Sequence, residues 1–106
     1  MMDHTLFKIK RFIIKGKFRF TDKADAEADA SGITREDALE AILNAHKIDK
    51  VMKSKSPGKT HKGEKVYVIR GLTYDNVLIY TKGTIKMADG QELFYILISS
   101  KREGIF

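Results

Sequence analysis

The sequence predicts an α+β fold, a twisted antiparallel sheet of three to four strands with two to three N-terminal helices packed on it. Two observations carry this expectation. The first half shows helical spacing and helix-end signals. Residues 65–101, KVYVIRGLTYDNVLIYTKGTIKMADGQELFYILISSK, instead switch to β-type runs separated by turn signals. Size supplies a third: 106 residues, 42% of them hydrophobic and only one Pro, suffice for a single core, so residues 1–106 read as one domain.

Taken in order, Leu6, Ile9 and Ile13 recur at helical spacing with Phe12 alongside, and Gly16 follows at a stop position. Residues 5–15 therefore read as a basic amphipathic helix. A strand is the alternative, because Phe7/Ile9 and Phe12/Ile14 alternate in part. Phe18-Arg19-Phe20 reads as a short extended link. Thr21 is a candidate N-cap for a helix filled by Ala24, Ala26, Ala28 and Ala30 and closed by Gly32. Thr34 caps the next helix, with Glu36 and Asp37 near the positive end of its dipole and Ala38, Leu39, Ile42 and Leu43 as the expected buried stripe.

In the second half, residues 47–53 are a candidate first strand. The polar, basic stretch SKSPGKTHKG at 54–63 has no apolar anchor and is the loop expected to move most. Strands at 65–72, 77–87 and 92–100 then form a meander, the Asp89-Gly90 pair being a strong hairpin signal.

Composition excludes several classes. With no Cys there is neither a disulfide framework nor a thiolate metal site, and His4, His46 and His61 are too scattered to form an evident ligand set. No metal or cofactor is expected. The chain lacks a run of about 18 apolar residues, and Lys8, Lys10 and Arg11 interrupt the early apolar positions. These features lead to the expectation of a cytoplasmic protein without membrane association.

The net charge of +6 is unevenly spread. Residues 1–21 carry six Lys/Arg against one acid, residues 22–46 two against seven, residues 47–71 eight against two, and the remainder four against four. Two basic segments flanking an acidic one predict a surface with a positive and a negative side. The first suits a polyanion, the second a basic partner. The plainer account is that these charges keep a small protein soluble and that the acids serve helix ends and the chain's own lysines.

The pairings of familiar catalytic sites are absent: no thiol nucleophile, glycine-rich phosphate loop or paired-carboxylate motif occurs. What remains are Lys, Arg and Tyr, with Tyr67, Tyr80 and Lys101 at the edges of the β-type runs and His61 and Glu64 as the groups near the basic loop able to move a proton. RNA carries its own nucleophile, the 2′-hydroxyl. An enzyme cleaving it has to align that hydroxyl, stabilise negative charge and move protons, tasks that impose no metal requirement.

The order of a helix, Lys15-Gly16-Lys17-Phe18-Arg19-Phe20-Thr21, an Ala-containing helix, Gly32-Ile33, a second helix, Lys53-Ser54, a polar loop, Val66-Tyr67, Ile79-Tyr80-Thr81-Lys82 and a terminal strand ending in Lys resembles the MqsR mRNA-interferase toxins of the RelE-like ribonucleases. The resemblance spans residues 7–103 through short matches. It implies a small metal-independent endoribonuclease that cleaves single-stranded mRNA, in association with ribosomes or free, and is held inactive by a cognate antitoxin.

Carried across, the family's catalytic Lys falls on Lys53, with Lys55 as second choice, its strand Tyr on Tyr80 with Lys82 beside it, and its terminal Lys on Lys101. The family's Gln falls on Glu64, a carboxylate that can act as a base but repels phosphate. Catalytic roles are thus expected for Lys53, Glu64, Tyr80 and Lys101, and RNA contacts for Lys55, His61, Tyr67, Lys82 and Arg102. The bland alternatives are half-buried sheet tyrosines, lysines that protect strand edges and a solvated histidine. A non-catalytic RNA- or protein-binding module of the same fold is the alternative function, and a structural protein without a ligand is a third.

Overall fold

The computed structural model describes residues 4–53 and 64–104. Its class is α+β, with three helices, α1 (His4–Ile14), α2 (Asp22–Ser31) and α3 (Arg35–Asn44), and five strands. The strands are β1 (Phe18–Phe20), β2 (Lys50–Lys53), β3 (Lys65–Leu72), β4 (Leu78–Ala88) and β5 (Gln91–Arg102), in the sheet order β1-β5-β4-β3-β2. The basic loop 54–63, with Lys55 and His61, lies outside the described residues.

Two expectations about the sheet are corrected. Phe18-Arg19-Phe20 is a strand, not a link, and it pairs parallel with β5, Phe18 opposite Tyr95 and Phe20 opposite Leu97. The sheet is therefore mixed and five-stranded. Three residues are too short to show a period, and the partner of β1 lies more than seventy positions away. The strand expected over 47–53 covers only Lys50–Lys53, while β5 extends through Lys101 to Arg102.

Local signals otherwise act as read. Thr21 accepts a hydrogen bond from the Ala24 amide, and Gly32 ends α2 in the left-handed region at φ 75°. Thr34 and Asp37 form a reciprocal capping box on α3. Asp89 and Gly90 both take positive φ between the paired Ala88 and Gln91, as a two-residue hairpin turn requires. The α3 stripe is rotated from expectation: Ala38, Ala41 and Ile42 are buried, Leu39 is half-buried, and Leu43 is 37% exposed. The reason is contact distance. A Cβ at Gly71 would overlap the Ala41 carbonyl, so α3 lies with its small residues almost directly on the β3 backbone.

The helices cover one face of the sheet. Leu6, Ile9 and Ile13 of α1, Ala24 and Ala28 of α2, and the α3 stripe enclose Ile69, Ile79, Ile85, Tyr95 and Leu97 in one cluster. Gly83 makes room for the Tyr95 ring. Lys10 ties α1 to α3 by donating to the Ala45 carbonyl at 2.6 Å, a cation at a helix C-terminus. Desolvation there lowers the Lys10 ammonium below its ordinary value.

Beyond Phe20 the edge of β5 has no neighbouring strand, and α2 takes its place. The Ser100 amide donates to Glu27 at 3.2 Å and the Arg102 amide to Ser31 at 3.1 Å. Four helical residues rise about 6 Å and two strand residues about 6.8 Å, so an i,i+4 pair on a helix matches consecutive outward amides of a strand. Ser99 also donates to Glu27, and Ser100 donates its hydroxyl to the Ala24 carbonyl at 3.1 Å. These bonds leave little of the strand edge available to another chain.

Two outcomes are expected of this arrangement. Desolvation pushes the Glu27 carboxyl up, but hydrogen bonds from Lys23, Ser99 and the Ser100 amide outweigh it and leave the carboxyl below its ordinary value. Its contribution to stability is thus complete above the unfolded carboxylate value of about 4.3 and declines as pH falls through the lower folded value. Urea titrations across pH 3 to 7 should show this loss in the parent and a smaller one in Glu27→Gln, which is itself destabilised by about 1–3 kcal/mol at neutral pH. The Tyr95 hydroxyl, wholly buried, has no hydrogen-bond partner among the described residues, and burial pushes its phenol far up. Tyr95→Phe removes that unsatisfied group and should raise the urea midpoint, by up to about 1 kcal/mol of stability.

Candidate functional site

On the side of the sheet away from the helices Tyr80 and Lys82 are half-buried and Val68 and Ser99 buried, and its chemistry depends on strand phase. On β4, Ile79, Thr81 and Gly83 face the helices, which turns Tyr80 and Lys82 to the open side. On β5, Tyr95 and Leu97 are in the core. Strict alternation would place residue 101 with them. The pairing instead runs from Gly83 opposite Leu97 to Lys82 opposite Ser99, leaving Ile98 as an extra residue. This β-bulge shifts the phase by one, so that Ser100 is buried against α2 and Lys101 emerges on the open face directly opposite Tyr80.

Lys101 Nζ lies 5.3 Å from the centre of the Tyr80 ring, a cation–π pair. On the other side of Tyr80 stands Arg70 of β3, in register with it. Two carboxylates hold Arg70: Glu103 at 3.2 Å from Nη1 and Asp49 at 3.5 Å from Nε. Asp49 also accepts the Arg70 amide at 2.8 Å. Hydrogen bonding to Glu103 foremost, and the charge of both acids, raise the guanidinium above its ordinary value. A depression of about 350 Å³ opens between Tyr80 and β2, lined by Asp49, Lys50, Met52, Val68 and Arg70. Lys82 occupies the next open-face position of β4, opposite Val68 and Ser99.

The structure divides the residues singled out from sequence. Tyr80, Lys82 and Lys101 share the open face. Lys53 is exposed on the edge strand β2, opposite Lys65 and on the same side as Val51 and Tyr67, the latter packed against the core. Glu64 precedes β3 at the same end. Strand spacing and rise put Lys53 and Glu64 each about 20 Å from Tyr80, so the four residues expected to be catalytic form two separate groups. Tyr67 lines a different depression, with Glu64, Lys65 and Ile85. Arg102 is opposite Ile79 and points away from Lys101, its amide bonded to Ser31.

Arg70, Asp49 and Glu103 were not foreseen as part of this face. The available signal was an Arg inside the apolar run Val66–Leu72, a costly position for a strand unless its head group has partners. Both partners are remote in sequence. Among the described residues no group of three or more His, Asp or Glu is placed to hold a metal ion, and no helix there is long and apolar enough to cross a membrane.

Among the described residues the two basic segments lie apart. The N-terminal one leads into β1 and the central one into β2, at opposite edges of the sheet. Four of the seven acids of the middle segment are engaged internally: Asp25 with Arg35 at 2.6 Å, Glu27 with Lys23 and β5, Asp37 in its capping box, and Glu40 with the Tyr74 amide at 2.7 Å. The Arg35 hydrogen bond holds the Asp25 carboxyl below its ordinary value.

The open-face pair should be separable from stability. Tyr80→Phe keeps the ring and should unfold within about 0.5 kcal/mol of the parent, and Lys101→Ala should lose only the cation–π contact, about 0.5–1 kcal/mol, both by urea denaturation. No protein-family model matches the chain, and a search of curated proteins finds no significant relative.

Proposed function

We propose that the open face binds single-stranded RNA and that the chain acts there as a metal-independent endoribonuclease. The observation that carries this reading is the juxtaposition of Tyr80 and Lys101 on the sheet face away from the helices, brought about by the Ile98 bulge and flanked by Lys82 and by Arg70 in a fixed orientation. A phenol and an ammonium on rigid strands present a donor and a positive charge at one point, and the neighbouring cations suit a phosphate backbone.

In the proposed reaction the RNA 2′-oxygen attacks the adjacent phosphorus, the bond from phosphorus to O5′ breaks, and the products are a 2′,3′-cyclic phosphate and a 5′-hydroxyl. The proton leaves the 2′-hydroxyl for a base, and another is delivered to the departing O5′. Lys101 neutralises the charge that accumulates on the non-bridging oxygens, and the Tyr80 hydroxyl donates to the same centre. Glu103 and Asp49 restrict Arg70 to one orientation beside it, while their two negative charges confine phosphate to the Lys101 side. Restraint by a cognate antitoxin belongs to this reading through the family resemblance.

Binding without cleavage is the second reading, and the strand register favours it: Lys53 is paired with Lys65, five residues along β3 from the Arg70 that faces Tyr80, and Glu64 lies one residue further, about 20 Å by ideal strand rise. One experiment distinguishes the two. Purified protein incubated with unstructured RNA in EDTA should yield fragments ending in 2′,3′-cyclic phosphate, and Tyr80→Phe and Lys101→Ala should each slow the step by about 100- to 1,000-fold. Folded variants that cut at the parental rate overturn the Tyr80–Lys101 site. A parent that binds but never cuts RNA, with or without ribosomes, leaves the binding module as the function.

A further inference from the structure

A second basic surface lies outside the open face. The apolar stripe of α1, Leu6, Ile9 and Ile13, is buried in the core, so the opposite side of that helix faces outward. There a groove of about 270 Å³ runs between the helix and the segment that follows it, lined by Phe7, Lys8, Arg11, Phe12, Lys15 and Lys17. Gly16, at φ 74°, turns the chain back so that the Lys17 amide reaches the Phe12 carbonyl at 2.8 Å, which sets Lys17 beside Lys15 and Arg11. Lys8 pairs with Glu92 at 3.0 Å. Arg11, Lys15 and Lys17 make no ion pair with any of the described residues, and Phe7 is 52% exposed at the helix surface.

The cations do not stop at the groove. Lys17 leads directly into β1, where Arg19 faces the open side and lies 4.9 Å over the ring of Phe94. Positive charge alternating with aromatic rings thus continues from α1 around the β1 edge of the sheet towards the face that holds Lys82 and Lys101. We infer that the α1 groove is a second contact for single-stranded RNA, holding the phosphate backbone of a strand that wraps the β1 edge. This rests on the RNA-binding reading of the open face.

Charge complementarity and shape select RNA over a membrane surface. A single strand offers a phosphate and a base at every step, matching cations interleaved with rings, and can follow a curved path. A lipid surface is flat and requires an apolar face, whereas the apolar stripe of α1 is already used inside the protein, leaving Phe7 and Ile14 as its exposed large apolar side chains.

The test measures binding of fluorescein-labelled oligouridylate across a salt series, with phosphatidylcholine–phosphatidylserine vesicles in parallel and circular-dichroism melts to verify folding. The combined variant Arg11→Ala/Lys15→Ala/Lys17→Ala should weaken RNA binding about tenfold or more and reduce the slope of log affinity against log salt by about 2, as expected for three lost single-strand phosphate contacts. Phe7→Ala should weaken binding with the salt slope unchanged, because stacking releases no counterion. If the triple variant, folded, binds as the parent does while Lys82→Ala/Lys101→Ala is impaired, the α1 contact is overturned and the open-face reading stands. If the triple variant is impaired and the open-face variant is not, RNA binds at α1 alone, and both the open-face reading and the path wrapped around β1 are overturned. A parent that binds vesicles but no RNA, or neither, overturns both.

Discussion

The phase of β5 is the constraint on which the remainder of this structure depends. Ile98, like Leu93 nearer the hairpin, has no partner on β4, and the irregularity at Ile98 lets the strand bury Tyr95 and Leu97 below it and Ser100 above it on the same side. A regular strand would have to choose. With Tyr95 in the core, Lys101 would be driven beneath the helices, where an unpaired ammonium is costly. With Lys101 in solvent, Tyr95 and Leu97 would be expelled from the core. The bulge removes the conflict, and by doing so it sets an ammonium beside a phenol on a face that helices do not cover.

Helix α2 consolidates this solution. It is rich in alanine and lacks large apolar side chains, so packing alone would hold it weakly. Its place is fixed instead by hydrogen bonds: Glu27 and Ser31 receive the outward amides of β5 where β1 has ended, and Thr21 both caps the helix and bonds the Leu97 and Ile98 backbone. Within the acidic middle segment, four of the seven acids have partners inside the chain. These carboxylates close helix ends, a strand edge and a turn, and Arg35, held by Asp25, also lies 5.1 Å over the Phe20 ring.

The two surfaces that remain are both basic but differ in kind. The open face sets a lysine beside a phenol on rigid strands. The α1 groove spreads cations and rings along a helix and a turn, an arrangement suited to holding a strand. They meet the solvent from opposite layers of the molecule and are linked around β1, the short parallel strand that places Arg19 over Phe94.

By itself the sequence determined whatever depends on neighbours in the chain: the caps at Thr21 and Thr34, the left-handed stops at Gly16 and Gly32, the Asp89-Gly90 hairpin, and the division into a helical first half and a strand-rich second half. Each is a contest between a residue's own conformational preferences and a backbone bond a few positions away, and it is settled locally. Tyr80 and Lys101 were also legible at the edges of the β-type runs, and Lys82 through the family resemblance. Tertiary structure alone decided that β1 is a strand, since three residues acquire that state only from a parallel partner far along the chain. It alone parted Lys53 and Glu64 from Tyr80, and rotated α3 so that Ala41 rather than Leu43 meets the sheet at Gly71. It alone placed Lys101 beside Tyr80, because the side to which a strand residue points is fixed by pairing and by one unpaired residue, neither of which leaves a mark in local composition.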